Sequence, residues 1–376
     1  NLYKMTTKNS LIVGLFFIKT LLVLESCNDK KTSEPENQIQ DHKVAQLKNT
    51  YENSILILST EFVTKTMNLK ESINNFEQQT NLENLSETQE NWKSLVRVWK
   101  QLELYNIGAI QESFIHYEIN RWETKTRNIN NYIDGTDFID ALYVASKGSS
   151  SRGISALEYL LFSTNDSQEI MNSFTTAVNS ERRLKYLKAL AQNLETKAKQ
   201  LLSIWENNEE VFLNSLESDI TGSMNQLSNA MITLLEEIII GKLGKPLGND
   251  NGGNTNVDVL EAFRSSFSLE IIKEHLTALE QCYSGKFQQD QIGLGYSAYL
   301  DLLGNDTLDK TIITAFTNCK EKANAITNPL NTELTNNTQK VIDLRKAFRD
   351  LLILIKVDLA SAIGVIITIS DNDGDS

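Results

Sequence analysis

The chain has 376 residues, 40% of them hydrophobic and 23% charged, with a formal net charge of -13 at pH 7. That balance excludes a disordered chain, which lacks the apolar content to fold, and argues against a nucleic-acid binder, which needs a basic face. Only three prolines occur, Pro35, Pro246 and Pro329, and scarce breakers among many Leu, Glu, Lys, Asn and Gln residues point to an all-α fold.

Residues 11–24 are an apolar run interrupted by Lys19 and preceded by Lys8, with Met5 a candidate start. The run is too short and too interrupted for a good membrane span and reads as a signal peptide over residues 1–26. It ends Leu24-Glu25-Ser26-Cys27, a sequence like a bacterial lipobox, which makes Cys27 the candidate lipidation site. A simple uncleaved anchor is the alternative. The expected location is the bacterial cell envelope, with the chain lipid-anchored to a membrane and facing the periplasm or the outer membrane. Residues 27–40 are polar and read as a flexible tether. No CxxC pair exists; Cys282 and Cys319 are either a disulfide or two separate buried thiols.

From Val44 to Phe76, apolar residues at spacings of three, four and seven predict a helix. Residues 81–88 read as a turn, with Ser86 as N-cap. Trp92, Leu95, Val96, Trp99 and Leu102 then form a second apolar stripe, interleaved with Arg97 and Glu103. The two tryptophans are core residues or part of a site. Ile115, Ile119, Trp122 and Ile129 suggest a further helix with His116 on its apolar edge, and residues 128–140 read as irregular. The Gly- and Ser-rich segment 147–153 is a loop by composition. It leads into Gly153-Ile154-Ser155-Ala156-Leu157-Glu158-Tyr159-Leu160-Leu161-Phe162, where helical spacing puts Ser155 and Glu158 one turn apart beside a dense apolar surface. A carboxylate placed there needs a partner. Free N–H groups at this helix start, helped by Arg152, could hold an anion.

Strong helical periodicity follows over residues 181–207 and 209–240. A long loop covers residues 241–256. Ser268 is the expected N-cap of a helix carrying Ile272, Leu276 and Leu279, flanked by His275, which reads as packed or at the surface. Helices are predicted at 297–303, 307–327 and 338–362, with Gly364 ending the last, and residues 365–369 are extended in character. The closing run Asp371-Asn372-Asp373-Gly374-Asp375 lacks the distal Glu of a calcium loop and reads as a polar terminal segment.

Taken in order, these features resemble the imelysin-like family, peptidase M75, over roughly residues 40–376. Gly153, Glu158 and the Glu-Tyr-Leu-Leu-Phe tail match its Gly-x-His-x-x-Glu signature, but Ser155 stands at the histidine position. Trp92, Arg97, Trp99 and Glu103, the Pro246-Leu247-Gly248 turn, the serine-rich approach at 265–268 and the C-terminal run are similar to the family as well. The resemblance implies two helical domains, each roughly a four-helix bundle, with a site between them; residues 41–208 and 209–376 are the expected halves. It also implies a link to iron or haem uptake. Glu158, Ser155, Glu103, Arg97 and Gly153 are then the candidate ligand-binding residues, with Glu158 the candidate metal contact and iron the candidate metal.

Three function classes follow. The first is a non-enzymatic envelope protein that binds iron, haem or another small ligand, in company with other envelope uptake proteins. The second is an M75-type peptidase, which needs about three protein ligands to a metal plus a general base. Only His42, His116 and His275 are available and none lies in the motif, so the reading leans away from an enzyme. The third is an interaction module that keeps the fold without the site.

Overall fold

The stripe at 44–76 folds as a long helical rod. α1 (Ser33–Thr50) passes through a π-helical turn at Tyr51–Ile55 into α2 (Leu56–Gln78). The computed structural model describes residues 33–249, 252–289 and 291–368. The expected signal peptide, Cys27 and the acidic run at 371–375 lie outside the described residues. Residues 33–40, expected to be a flexible tether, are instead the opening turns of α1.

α3 (Leu82–Leu102) begins four residues before the expected Ser86 cap. The cap is Asn81, whose side chain accepts from the Asn84 N–H at 2.8 Å. Short helices follow: α4 (Gly108–Ser113), α5 (Ile115–Ile119), α6 (Thr126–Asp134) and α7 (Ala141–Ala145). α6 replaces the irregular segment expected at 128–140, because Ile129 and Ile133 are one turn apart and both buried. The motif helix is α8 (Gly153–Leu161), followed by α9 (Ser167–Thr175) and α10 (Ser180–Asn207).

The segment predicted as one helix over 209–240 is divided. α11 (Glu209–Asn214) and α12 (Ser223–Glu236) flank a loop, and α12 runs on as a π-helical stretch, Glu237–Gly244. α13 (Ser268–Ser284), α14 (Tyr296–Leu302), α15 (Asp306–Asn324), α16 (Leu330–Asn336), α17 (Thr338–Ile353) and α18 (Ala360–Ile363) complete the chain, α16 being absent from the sequence expectation. Gly364 ends α18 in the left-handed conformation as expected. The fold is all-helical, with no strand among the described residues. Among those residues no helix is long and apolar enough to cross a membrane.

The chain divides into two compact units, residues 1–38 and residues 39–376. Of the first unit, residues 33–38 are described, as helix. Within the second unit, α2 packs between α3 and α10; α7, α8 and α9 lie on α10, and α8 also touches α3. α3 meets α13, which packs on α15; α15 and α17 pair, and α17 lies on the 237–244 stretch. One apolar cluster runs through all of these elements, from Leu47 to Leu359. The expected boundary at residue 208 falls at the short break between α10 and α11. Cys282 and Cys319 are two free buried thiols, and burial pushes each up to about 12.

Leu190 is fully buried on α10. Leu190→Ala is expected to cost about 2–5 kcal/mol through lost burial and the cavity left behind, read by urea denaturation. A cost below about 1 kcal/mol would contradict the α10 packing described.

Candidate functional site

The motif helix is set in place by its first residue. Gly153 has φ +75°, and a Cβ there would lie 2.1 Å from the Ile119 carbonyl oxygen, so no other residue fits without displacement. The Trp92 indole N–H donates to the Ile154 carbonyl at 3.0 Å, and the Tyr186 hydroxyl donates to that of Ser151 at 2.8 Å. Ser155 and Glu158 then sit one turn apart, both buried. The Glu158 Oε1 accepts from the backbone N–H and from the hydroxyl of Ser265, each at 2.9 Å. This clamps a turn in which Ala262 (φ 56°) and Ser266 (φ 57°) both adopt the left-handed conformation that side chains disfavour. Ser268 does not cap α13; its hydroxyl donates to the Glu261 carbonyl at 2.5 Å and ties the same turn from the other side.

The turn delivers Glu261 into a buried cluster of charges. Lys100 Nζ donates to both oxygens of Glu103, at 2.7 and 2.9 Å, and to Glu261 Oε1 at 2.7 Å. Lys242 Nζ donates to Glu261 Oε2 at 2.6 Å and to Glu237 Oε1 at 2.7 Å. Asn120 donates to Glu261 Oε1 at 2.9 Å, and its carbonyl oxygen accepts from the Ser155 hydroxyl at 2.7 Å. Glu103 also accepts from the Trp99 indole at 2.5 Å, and His275 Nε2 lies 2.8 Å from its Oε2. The motif serine therefore reaches the cluster through Asn120, and the motif glutamate reaches it through the 262–266 turn.

Burial pushes Glu103 and Glu261 up, but the ammonium groups outweigh it. Lys100 and His275 hold Glu103 well below the usual carboxylate range, and Lys100 and Lys242 bring Glu261 down to about 2. Burial lowers Lys242, yet Glu237 and Glu261 raise it overall. Burial lowers His275, and its contact with Glu103 offsets only part. Glu158 behaves in the opposite sense: burial raises its carboxyl, and the Ser265 and Arg264 groups only partly compensate.

A cavity of about 630 Å³ opens beside this cluster. Glu103, Asn120 and Glu261 form part of its wall, together with Trp99, Trp122 and His116; Glu158, Ser155, Gly153 and Arg97 do not. Arg97 instead pairs with Glu270 and Glu274 of α13, each at 2.9 Å, with its guanidinium over the Phe267 ring. Arg152 donates to the Ala145 carbonyl and lies 3.6 Å from Glu118, so its side chain is committed away from the helix start where anion binding was expected. His275 is fully buried within the cluster rather than at the surface.

Lys100, Lys242, Glu261 and Asn120 belong to the site without having been expected from the sequence. Lys242 and Glu261 carried the signal that exposed Glu158, a lone charge inside an apolar run, as in Ile238-Ile239-Ile240-Gly241-Lys242-Leu243 and Val259-Leu260-Glu261-Ala262-Phe263. Lys100 stands three residues before Glu103 in the Trp stripe.

The donor set does not suit a resident metal ion. The cluster carboxylates already hold lysine ammonium groups, Glu158 accepts two hydrogen bonds, and Ser155 replaces the imidazole of the signature. No group of three or more His, Cys, Asp or Glu among the described residues is arranged to hold a metal.

Fold and site together define an all-helical protein with a buried ion network against one wall of a ligand-sized cavity. The family model of peptidase M75, imelysin, matches residues 58–354, and the chain belongs to that family. An imelysin-like protein from Psychrobacter arcticum 273-4 has a similar structure, with a TM-score of 0.73 at 17% identity, covering 88% of this chain and 98% of its own. A protein from Parabacteroides distasonis ATCC 8503 described as a "putative iron-regulated protein A precursor" aligns with a TM-score of 0.70 at 17% identity, covering 86% and 95%. No curated protein matches the chain.

Lys100→Met leaves the buried Glu261 and the half-buried Glu103 short of a partner and is expected to destabilise by about 3–5 kcal/mol, measured by denaturant unfolding at pH 7. A loss under about 1 kcal/mol would show that the cluster is not closed around Lys100.

The pH profile follows from the directions above. His275 is lowered, so stability begins to fall as pH drops below its ordinary 6.5. Glu103 and Glu261 are lowered, so a further loss begins at about the ordinary 4.5 and deepens as pH falls, Glu261 giving up its share towards about 2. Glu158 is raised, so its contribution is complete below 4.5 and is lost as pH rises through the folded value. Glu158→Gln keeps an acceptor for Ser265 and removes that charge. Its urea midpoint at pH 7 is expected to equal or exceed that of the parent, with the gain vanishing in acid; a lower midpoint at pH 7 would mean that Ser265 requires the carboxylate.

Proposed function

We propose that this chain is a non-enzymatic binding protein of the bacterial cell envelope, lipid-anchored through Cys27, that captures a small ligand for uptake. The observation that carries the reading is the cavity of about 630 Å³ against the Glu103–Lys100–Glu261 cluster. Its size falls within the ~300–1,000 Å³ typical of small-molecule sites. The ion network supplies what such a site needs, polar groups held rigidly by partners behind them. Glu158 and Ser155 act on this site as positioning residues, through Ser265 and Asn120. Iron or haem as the cargo is supported by the name of the P. distasonis neighbour and by the family resemblance; any iron is then cargo, not a resident cofactor.

A peptidase reading has less support. The carboxylates along the wall are engaged by ammonium groups, and the motif hydroxyl of Ser155 donates to Asn120 rather than to a base.

The reading is tested by incubating the purified chain with a small-molecule extract of bacterial cells, washing, and analysing retained molecules by mass spectrometry. Ala230→Trp, which fills the cavity from α12, serves as the comparison. A stoichiometric molecule retained by the parent and absent from the variant is the expected result. Equal retention by both, or none by either, would sink the assignment.

A further inference from the structure

One short helix stands among the empty spaces of the molecule. α4 (Gly108–Ser113) places Gln111 in the wall of the cavity of about 630 Å³. Its Ala109 and Ile110 line a separate pocket of about 180 Å³, together with Ile204, Trp205 and Phe212. Ile107, Gly108, Glu112 and Gln226 border both spaces, so α4 is the partition between them. Ser113, at its C-terminal end, borders an open depression of about 320 Å³. Protein interiors are close-packed, and a helix with unfilled volume beside it forgoes the contacts that would hold it.

The helix is also weakly tied. Of its six residues only Ile110 is buried. The Ser113 hydroxyl donates to the Ile110 carbonyl at 2.7 Å, a bond within the helix itself. Among the described residues, no hydrogen bond or ion pair joins 108–113 to anything outside 107–117. The buried frame resumes on either side, at Ile107 and Ile115. Both ends of the helix are in the left-handed conformation: Gly108 has φ +50° and Phe114 has φ 56°. Glycine adopts it freely, whereas a phenylalanine held there is strained. Phe114 gains little burial in return, being 64% exposed with its ring against that of Tyr117. Rotation of Phe114 out of this conformation releases the strain, which favours letting the helix go.

We propose that α4 is a lid: it swings about Gly108 and Phe114, joins the two spaces when it leaves, and sets access to them. Opening withdraws Ile110 from the small pocket, and re-burying that side chain closes the lid again. The two hinges act in opposite senses, Gly108 favouring the closed position and Phe114 the open one. Such an element belongs to the low-stability end of a structure and opens without global unfolding. The inference concerns access to the cavity of the binding-protein reading and rests on that reading for its purpose alone.

The test uses no cargo, so its failure and the failure of the binding reading are separate results. Ser223, buried in the wall of the small pocket, is replaced in the full chain by Ser223→Cys, and its alkylation by iodoacetamide is timed by peptide mass spectrometry. The buried Cys282 and Cys319 are the internal reference for global opening. Amide hydrogen exchange is followed in parallel over 108–114 and over α10, and each variant is checked for an unchanged melting temperature. Gly108→Ala, which puts a side chain in the left-handed region, is expected to speed exchange of 108–114 and alkylation at position 223 by about fivefold. Phe114→Gly, which removes the strain, is expected to slow both by about the same factor. α10, Cys282 and Cys319 keep their parental rates in each. Phe114 is exposed, so Phe114→Gly carries the test alone if Gly108→Ala does not fold. Alkylation that follows Cys282, Cys319 and α10 instead of 108–114 would overturn the proposal, because access would then need the whole fold to open. Exchange that answers to the hinge variants while alkylation stays constant would also overturn it, by showing a helix that moves without controlling entry. A shift of the same sign in both variants would refute the assignment of the hinges and the lid with it.

Discussion

The structure turns on one carboxylate held between two ammonium groups. Glu261 accepts from Lys100 with one oxygen and from Lys242 with the other, and all three side chains are buried. Lys100 comes from α3, Lys242 from the π-helical end of α12, and Glu261 from the turn before α13. α3 and the segment 242–261, far apart in sequence, therefore converge on one group. Desolvating these charges is costly, and only complete pairing repays it. A shifted arrangement would leave a buried charge unpaired, a penalty added to the one that close-packed apolar surfaces already impose on any slip. The register of α3 against the segment 237–268 is fixed in this way.

The signature of the family takes on a different meaning here. Ser155 and Glu158 do not line the cavity. One orients Asn120, and the other clamps the turn that carries Glu261, where two non-glycine residues sit in the left-handed region. Backbone strain of this sort persists only where surrounding bonds over-determine it. Glu158, Ser268 and the two lysines supply those bonds. Gly153 and Glu158 thus have structural roles in this fold, one as the backbone that passes Ile119 and the other as an acceptor for Ser265, even with a hydroxyl where the family signature has a histidine.

Much of the fold was legible because long amphipathic helices announce themselves by period. Residues 44–76 and 181–207 stood out because Leu, Ile and Phe recur at three and four over many turns. α4 to α7 were harder, since elements of five to nine residues carry too few turns to set a period, and their boundaries depend on packing against α10. The break in 209–240 was invisible for a related reason: its flanks are both apolar, and the loop is made by Gly222 lying against the Glu217 carbonyl. Of the site, Glu158, Ser155 and Glu103 could be read from local context. Lys100 could not be assigned to the site without knowing that Glu261 lies opposite it, 161 positions away in the chain.

The segment 366–368 is held to α12 by side-chain amides. Asn225 and Asn229 both donate to the Ile366 carbonyl and accept from the Ile366 and Thr368 N–H groups, imitating a strand partner. Thr368 belongs to the cavity wall. The opposite wall, Trp99 to Trp122, is made more than two hundred residues earlier. During synthesis, which runs from the N-terminus, the first wall is therefore exposed until the 220–237 segment and Glu261, which supply most of the remaining wall, have emerged, and Thr368 is added last. A chain clipped before residue 366 would therefore keep most of the wall, lose Thr368 from it, and leave the amides of Asn225 and Asn229 without these backbone partners.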